Sequence, residues 1–419
     1  METVSDDVLV EILVRVADAV ALFRCAATCK RWRGLAADWP KGARRPSSLI
    51  GFFQGQPEPF IMHPPPVLSP FIPAPLSPLG PRRRFLVVSI PEAGSSMDRA
   101  VPLASRSGLV LVRLGSQEWT GMNSMVHLAV CNPLAGTSQL LPPLEPSRPF
   151  SDKSCCGAIL SGEDYCSDEQ KRFTVGSSTF FKVLIINIIE WTGHSIYLRT
   201  FSSTEPSWSA PRKCKNPVVG KQQTHFSAVV CRGKARWLFR NRLDICTLDV
   251  NVGTGDVSTT KILLPMYLRV CELYDEPRLG ATTDRRLSLN FLHRACLRIE
   301  IWTSEGDEDS IDGTANWLPD HVIELQKPHK TQIDNARCMC VGEKSGTLII
   351  KDSRGNMYVA DLETGTMEEV TARLCDPVST AIPFEIDWPG FFVSPLAAGS
   401  IKCTKSGEAV LGLARSFGE

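Results

Sequence analysis

Apolar residues recur at helical spacing in the first forty residues. From about residue 85 onward they fall in short runs separated by turn residues. Ser5 is a suitable N-cap, and Asp6 and Asp7 place negative charge in the first turn of a helix. Val8, Leu9, Ile12, Leu13 and Val16 form one stripe, widened by Val10 and Val14. Asp7, Glu11 and Arg15 hold the polar line, with Glu11 spaced to pair with Arg15. Asp18 caps a second predicted helix carrying Val20, Leu22, Phe23 and Ala27. A third runs from Cys29 to Ala37 and is ended by Trp39-Pro40. A three-helix unit of about forty residues buries little surface. A helix apolar over most of its circumference needs a second neighbour, either the rest of this chain or another protein; the pattern leaves both open.

Beyond residue 85 one phrase repeats: a strand, an Asx or Thr turn, and a glycine. It occurs as Val126-His127-Leu128-Ala129-Val130-Cys131-Asn132-Pro133-Leu134-Ala135-Gly136. It returns as Leu243 to Asp249 before Gly253-Thr254-Gly255, and as Met357 to Leu362 before Glu363-Thr364-Gly365. Weaker copies are Ile196 to Phe201 and Leu297 to Trp302. Each copy follows another predicted strand: Gly108 to Arg113, Phe181 to Ile189, Lys234 to Phe239, Arg286 to Phe291 and Gly346 to Lys351. Asx side chains cap such turns and glycine takes the positive φ. The turn spacing is roughly 50–70 residues, which suits a four-stranded propeller blade with its loops. The expected fold is therefore mostly β, a propeller-like repeat domain of roughly six or seven blades behind the helices. A β-sandwich pair or an irregular all-β domain is the alternative. Phe391-Phe392-Val393 and Ala409-Val410-Leu411 are expected to complete a blade begun near Ser48 to Phe53, which would leave no exposed sheet edge.

Three segments follow: helices over 1–40, a proline-rich connector over 41–84 with a closing strand near 48–53, and the β domain over 85–419. The connector is dense in proline between 57 and 81, and Phe60, Ile61, Phe71 and Ile72 suggest packing against the next domain rather than display. The chain has 419 residues, is 43% hydrophobic and carries a net charge of +1, so no overall electrostatic pull toward nucleic acid or an anionic membrane is implied. No secretory signal or membrane span is expected. The 15 cysteines then read as reduced thiols of the cytoplasm or nucleus. They lack zinc spacing, and the acidic run Glu305 to Asp312 does not fit a calcium loop, so neither metal nor cofactor is expected. Phosphate-loop, G-x-S-x-G and H-E-x-x-H motifs are absent.

The helical segment resembles an F-box. Thr28-Cys29-Lys30-Arg31-Trp32 stands where that family carries Val-Cys-Lys-x-Trp. Val4-Ser5 replaces the usual Leu-Pro, Ala17-Asp18 stands in place of the usual proline, and Thr28 replaces the usual valine. Residues 24–32 are similar to those of a large grass family. Cys131-Asn132-Pro133-Leu134, followed by Leu140-Leu141-Pro142-Pro143-Leu144, looks like the plant F-box-associated repeat. The resemblance implies a non-catalytic substrate-recognition subunit of a cullin-type (SCF) ubiquitin ligase. A Skp-type adaptor and cullin scaffold would be partners, with an unknown target protein on the β domain. Leu9, Ile12, Leu13, Val16, Cys29 and Trp32 would mix internal packing with adaptor contact. The rivals are an interaction protein whose altered F-box no longer engages the ligase, and a propeller enzyme.

Overall fold

A computed structural model describes residues 4–15, 25, 28–37, 49–54, 71–75, 100–114, 125–133, 137–144, 155–164, 180–189, 195–214, 227–241, 244–270, 273–282, 285–304, 314–328, 332–373, 381–386, 401–403 and 409–411. The chain is mostly β. Two N-terminal helices are described, α1 (Asp6–Arg15) and α2 (Lys30–Ala37). Of the helix expected from Asp18, only Cys25 and Thr28 are described, both helical; the rest of that expectation lies outside the described residues. One short helix, α3 (Met266–Val270), interrupts the β domain, where no helix was expected.

The ten strands of the repeated phrase are the two middle strands of five sheets. The first sheet holds β3 (Val101–Arg106), β4 (Leu109–Leu114), β5 (His127–Asn132) and β6 (Thr137–Leu140), which follow β1 (Leu49–Gln54) and β2 (Phe71–Pro73) along the chain. The second holds β7 (Cys155–Ser161), β8 (Phe181–Ile189), β9 (Ser195–Ser202) and β10 (Arg212–Lys213). The third holds β11 (Val229–Cys231), β12 (Lys234–Asn241), β13 (Asp244–Asn251) and β14 (Val257–Leu263). The fourth holds β15 (Arg278–Ala281), β16 (Leu287–His293), β17 (Arg298–Ser304) and β18 (Thr314–Glu324). The fifth holds β19 (Arg337–Val341), β20 (Thr347–Lys351), β21 (Asn356–Asp361) and β22 (Met367–Arg373). Within each sheet the strands pair antiparallel in chain order. The turns are built as their residues suggest. Asp361 Oδ1 accepts the Glu363 and Thr364 N–H groups at 2.8 and 2.9 Å, and Gly365 takes φ 72°. Asn251 does the same for Gly253 and Thr254.

The middle strands are buried on both faces, which is why strands such as Leu109–Leu114 and Phe181–Ile189 read as near-continuous apolar runs rather than alternating ones. One core cluster lies between the first and second sheets, around Leu111, Val183 and Phe201. Another lies between the second and third, around Ile186, Trp237 and Leu248. The third and fourth enclose Phe291, Trp302 and Trp317, and the fourth and fifth enclose Ile299, Ile350 and Tyr358. The third and fourth sheets also join at their outer strands, where Lys261, Ile262 and Leu263 pair in parallel with Thr314, Ala315 and Asn316. The result is one eight-stranded sheet whose end strands, β11 and β15, adjoin, so that it nearly closes like a barrel.

A further sheet corrects the expected closure. Leu49–Gln54 pairs with β2 on one side and with β23 (Ala381–Glu385) on the other. Ala409-Val410-Leu411, expected there, instead forms β25 (Ala409–Leu411) in a separate ribbon with β24 (Ile401–Cys403), and Phe391-Phe392-Val393 lies outside the described residues. Pro383 argues against a strand over 381–385, since proline donates nothing to a ladder. It is tolerated because β23 is the edge of its sheet. One edge strand from each of six sheets, the ribbon β24–β25 apart, then adjoins the next in sequence: β3 to β7, β7 toward β11 through the parallel Gly157–Ser227 bridge, onward through β15 and β19 to β23, and from β23 back to β3.

The closing sheet is tightly packed. Phe53, Phe71 and Phe384 meet with ring centroids 5.1 to 5.9 Å apart, while the adjacent Phe52 faces Ile349 and Met357. A Cβ on Gly51 would overlap the Ile72 carbonyl oxygen and the Phe71 ring. Gly51→Ala is therefore expected to lower stability by about 1–3 kcal/mol, read as a lower urea midpoint. Gly34→Ala, inside α2 and with nothing within 4 Å of its new methyl, should not lower that midpoint, since alanine is the better helix former.

Candidate functional site

Two places carry chemistry that the packing alone does not use. The first is the helix pair. The Ser5 carbonyl accepts the Leu9 N–H at 3.2 Å, so α1 begins where the capping pattern predicts. Leu9 and Leu13 are buried at 5% and 1% exposure, whereas Val4, Val8 and Ile12 stand four residues apart at 52%, 46% and 45%. The single stripe read from the sequence is thus two stripes, one turned inward and one left open. Cys29 is exposed and Trp32 half-buried; Val16 lies outside the described residues. Cys29 caps α2, its carbonyl accepting the Arg33 N–H at 3.1 Å. The Trp32 backbone N–H draws the Cys29 thiol below its usual pKa, with Arg31 adding to the effect.

Arg31 is the residue that sequence reasoning passed over. Its Nε donates to Asp6 Oδ1 at 2.7 Å and its Nη2 to the Val4 carbonyl, so α2 is clamped to the first turn of α1. The signal was present in the Lys30-Arg31-Trp32 run, but nothing in that run says which acidic residue twenty-five positions earlier would receive the guanidinium.

The second place is the inner rim of the ring. A cavity of about 70 Å³ opens there among the first strands of five sheets, lined by Ser105, Arg106, Arg278, Cys340, Glu343 and Glu385 among others. Arg106 spans this end. Its Nε donates to Asp164 Oδ2 at 2.7 Å, its Nη2 to Asp164 Oδ1, its Nη1 to Glu343 Oε2, and Nη2 also reaches the Val230 carbonyl at 3.4 Å. One side chain therefore ties the first sheet to the second, third and fifth. Glu385, from the closing strand, accepts the Lys344 and Ser345 N–H groups at 3.0 and 2.9 Å. Burial alone would lower the Arg106 pKa, but Glu343 and Asp164 raise it above its ordinary value. Burial pushes Glu343 up to about 7 against the pull of Arg106, with Glu385 and Asp164 adding to the rise. Asp164 is the firmer partner of Arg106, bound through two nitrogens.

Arg278, which also lines the cavity and is at 6% exposure, donates from Nε to the Cys338 carbonyl at 2.7 Å. Its Nη1 is buried with no hydrogen-bond partner, as is Ser105 Oγ. Asp275 binds Cys338 from its other side, accepting the Cys338 N–H at 2.7 Å, and pairs with Arg294 at 3.0 Å. None of these residues was singled out from sequence. No motif joins them, and they meet only because β3, β15, β19 and β23, on or beside which they sit, adjoin in the ring.

Because the folded Glu343 pKa lies above its ordinary 4.5, its protonated form favours the folded state. That contribution is complete below about 4.5 and is lost as pH rises through about 7. Glu343→Gln, which imitates the protonated group, is expected to flatten this dependence. Melting curves from pH 5 to 8 should show wild type losing roughly 1–3 kcal/mol relative to the variant. Parallel curves would show that Glu343 does not titrate in this range.

Comparison with known proteins agrees at the two ends of this description. Residues 6–39 match the F-box-like family model. No curated protein matches the chain. Among solved structures, the GH93 alpha-L-arabinofuranosidase of Fusarium graminearum in complex with arabinobiose aligns with 80% of this chain and 88% of its own, at 8% identity and a TM-score of 0.33, too distant to bear on fold or chemistry. Among the described residues no helix is long and apolar enough to cross a membrane. Residues 89–373, more than half of the 419, match the model of the domain of unknown function DUF7595. The chain belongs to the DUF7595 family and carries an F-box-like module in front of that domain.

Proposed function

We propose that this protein is a non-catalytic substrate-recognition subunit of a cullin-type ubiquitin ligase, with the helices docking a Skp-type adaptor and the β domain holding a target protein. The observation that carries this reading is the open Val4, Val8 and Ile12 stripe on a helix whose other apolar face is already buried, within a segment matching the F-box-like family. Apolar anchors of this kind dominate protein interfaces. Leu9 and Leu13 support the helix from behind, and the Arg31–Asp6 clamp fixes its angle to α2. Ile12, with Val8 beside it, is the principal adaptor contact in this reading. Cys29 and Trp32 frame the end of α2.

The six sheets form, in the same proposal, a six-bladed propeller of the F-box-associated kind, closed by β1 and β23. Its loops are free to vary while packed strands hold the ring, which suits them to bind a target. The effect on ubiquitin transfer is proximity: the target is held where the ligase's partner enzyme reaches a lysine. The inner-rim carboxylates fit a structural role better than an enzymatic one, because Asp164 and Glu343 are engaged by Arg106 and Glu385 by two backbone N–H groups.

Ile12→Asp is expected to weaken adaptor binding by about thirtyfold or more, equivalent to about 2 kcal/mol, and so to abolish co-purification of adaptor and cullin while the β domain melts normally. Trp32→Ala should act in the same direction, and Glu11→Ala, on the polar line, should have no effect. With the proteasome blocked, deletion of residues 1–40 should lose adaptor and cullin yet retain and accumulate the target. Normal recovery of adaptor by both Ile12→Asp and Trp32→Ala would reject the docking site. Failure of the intact chain to recover adaptor would leave a plain interaction protein.

A further inference from the structure

We infer that the end of the ring where the first hairpin turns meet is a docking surface for a glutamate- or aspartate-rich segment of a partner protein, with Arg232 and Arg285 as the groups that pair with it. Turns from several sheets converge there. Lys344, between β19 and β20, donates from Nζ to Ser107 Oγ, between β3 and β4, at 3.2 Å, and Ser107 Oγ lies 3.5 Å from Ser161 Oγ of β7. The Arg285 carbonyl, between β15 and β16, accepts from Arg232 Nε at 3.2 Å and from Cys231 Sγ at 2.8 Å. Glu343, beside Lys344, accepts the Val230 N–H at 3.4 Å and so joins the two groups of turns. Asp164, Glu343 and Glu385 are already engaged, the first two by Arg106 and the third by two backbone N–H groups. Arg232, Arg285 and Lys344 are exposed. Among the described residues neither Arg232 nor Arg285 forms an ion pair.

Backbone conformation singles out the same two arginines. Arg232 and Gly233 are the central residues of the hairpin closed by the Cys231–Lys234 pair, with φ of 49° and 70°. Such a turn favours Asn-Gly, since asparagine tolerates positive φ better than a long side chain does. Arg285 also takes a positive φ, 62°. Residues held in this region against local preference gather at functional sites. The two arginines, joined through the Arg285 carbonyl, therefore serve through their guanidinium groups rather than through their turns. A guanidinium fork pairs with a carboxylate through two hydrogen bonds. Nucleic acid fits poorly, because it needs a track of cations along several phosphates and the chain's net charge is only +1. A phosphorylated segment would bring a dianion to an end of the ring that already holds Asp164, Glu343 and Glu385, whereas a carboxylate brings half that charge. The inference deepens the target-binding half of the proposed function and rests on it, naming the face of the β domain and the charge of the target.

The test is fluorescence anisotropy of the full chain with a labelled glutamate-rich peptide, its glutamine counterpart, a phosphoserine peptide matched in net charge, and a single-stranded oligonucleotide. The glutamate peptide should bind with a Kd on the order of 100 µM and weaken as chloride is raised, and the glutamine peptide should not bind. Arg232→Asn combined with Arg285→Asn removes both charges and supplies a residue that tolerates positive φ. This double variant should keep or raise the urea midpoint while weakening the glutamate peptide at least about tenfold. Lys344→Gln should weaken it by a smaller factor. With the proteasome blocked, the full-length double variant should recover adaptor as wild type does but lose the target. Recovery of adaptor with the target undiminished overturns the docking face and leaves the ligase reading intact. A wild-type chain that recovers neither adaptor nor target, yet binds the glutamate peptide through Arg232 and Arg285, defeats the ligase reading and keeps the surface. The proposal is also overturned if the glutamate and glutamine peptides bind alike, if the phosphoserine peptide or the oligonucleotide binds more tightly than the glutamate peptide, or if the double variant loses stability but not peptide binding.

Discussion

The antiparallel ladder between Leu49–Gln54 and Ala381–Glu385 is the constraint on which the rest of the β domain depends. Without it the ring has two loose ends, β3 and β19, each deprived of the neighbour β23 that it packs against. Closing a loop this long adds little beyond a shorter one, because closure entropy grows only with the logarithm of length. The packing that offsets it is concentrated: three phenylalanine rings on one face and Phe52 with Ile72 on the other. Gly51 lets β2 approach closely enough to cover the ladder, since any larger residue would strike the backbone of Ile72.

The same closure sets the inner rim. Glu385 is the last residue of the closing strand. Its carboxylate organises the Lys344–Ser345 turn, and its carbonyl accepts the Gly108 N–H at 3.0 Å. Arg106 reaches across from the first sheet to partners in three others. A hydrophobic ring fixes neighbouring sheets against each other, but it does not dictate what lies inside. Charged ties between non-neighbouring sheets do so, at the expense of burying carboxylates whose protonation then responds to pH. Arg278 makes a lighter tie, one hydrogen bond from Nε to the Cys338 carbonyl of the neighbouring sheet.

The helical module obeys a different economy. Two helices of this length cannot bury every apolar side chain they carry. Burial of Leu9 and Leu13 leaves Val4, Val8 and Ile12 uncovered. The Arg31–Asp6 pair is exposed and contributes little to stability, since solvent screens it. Its value lies in orienting two short helices that share few contacts.

Local signals determined the mostly β class, the helical start and the ten middle strands, because each depends on residues close in sequence. A strand buried on both faces announces itself as an apolar run, and an Asx side chain followed by glycine marks the turn it caps. The F-box-like identity was also legible, in Cys29-Lys30-Arg31-Trp32 and the acidic first turn. The tertiary structure decided everything that joins distant segments. It chose Ala381–Glu385 over Ala409–Leu411 as the closing strand, since proline tolerance depends on which strand is an edge. It divided the apolar positions of α1 into an inner and an outer set, which needs the position of α2. It also assembled Arg106, Arg278, Glu343 and Glu385, because the ring brings β3, β15, β19 and β23 together around one cavity and no spacing along the chain records that convergence.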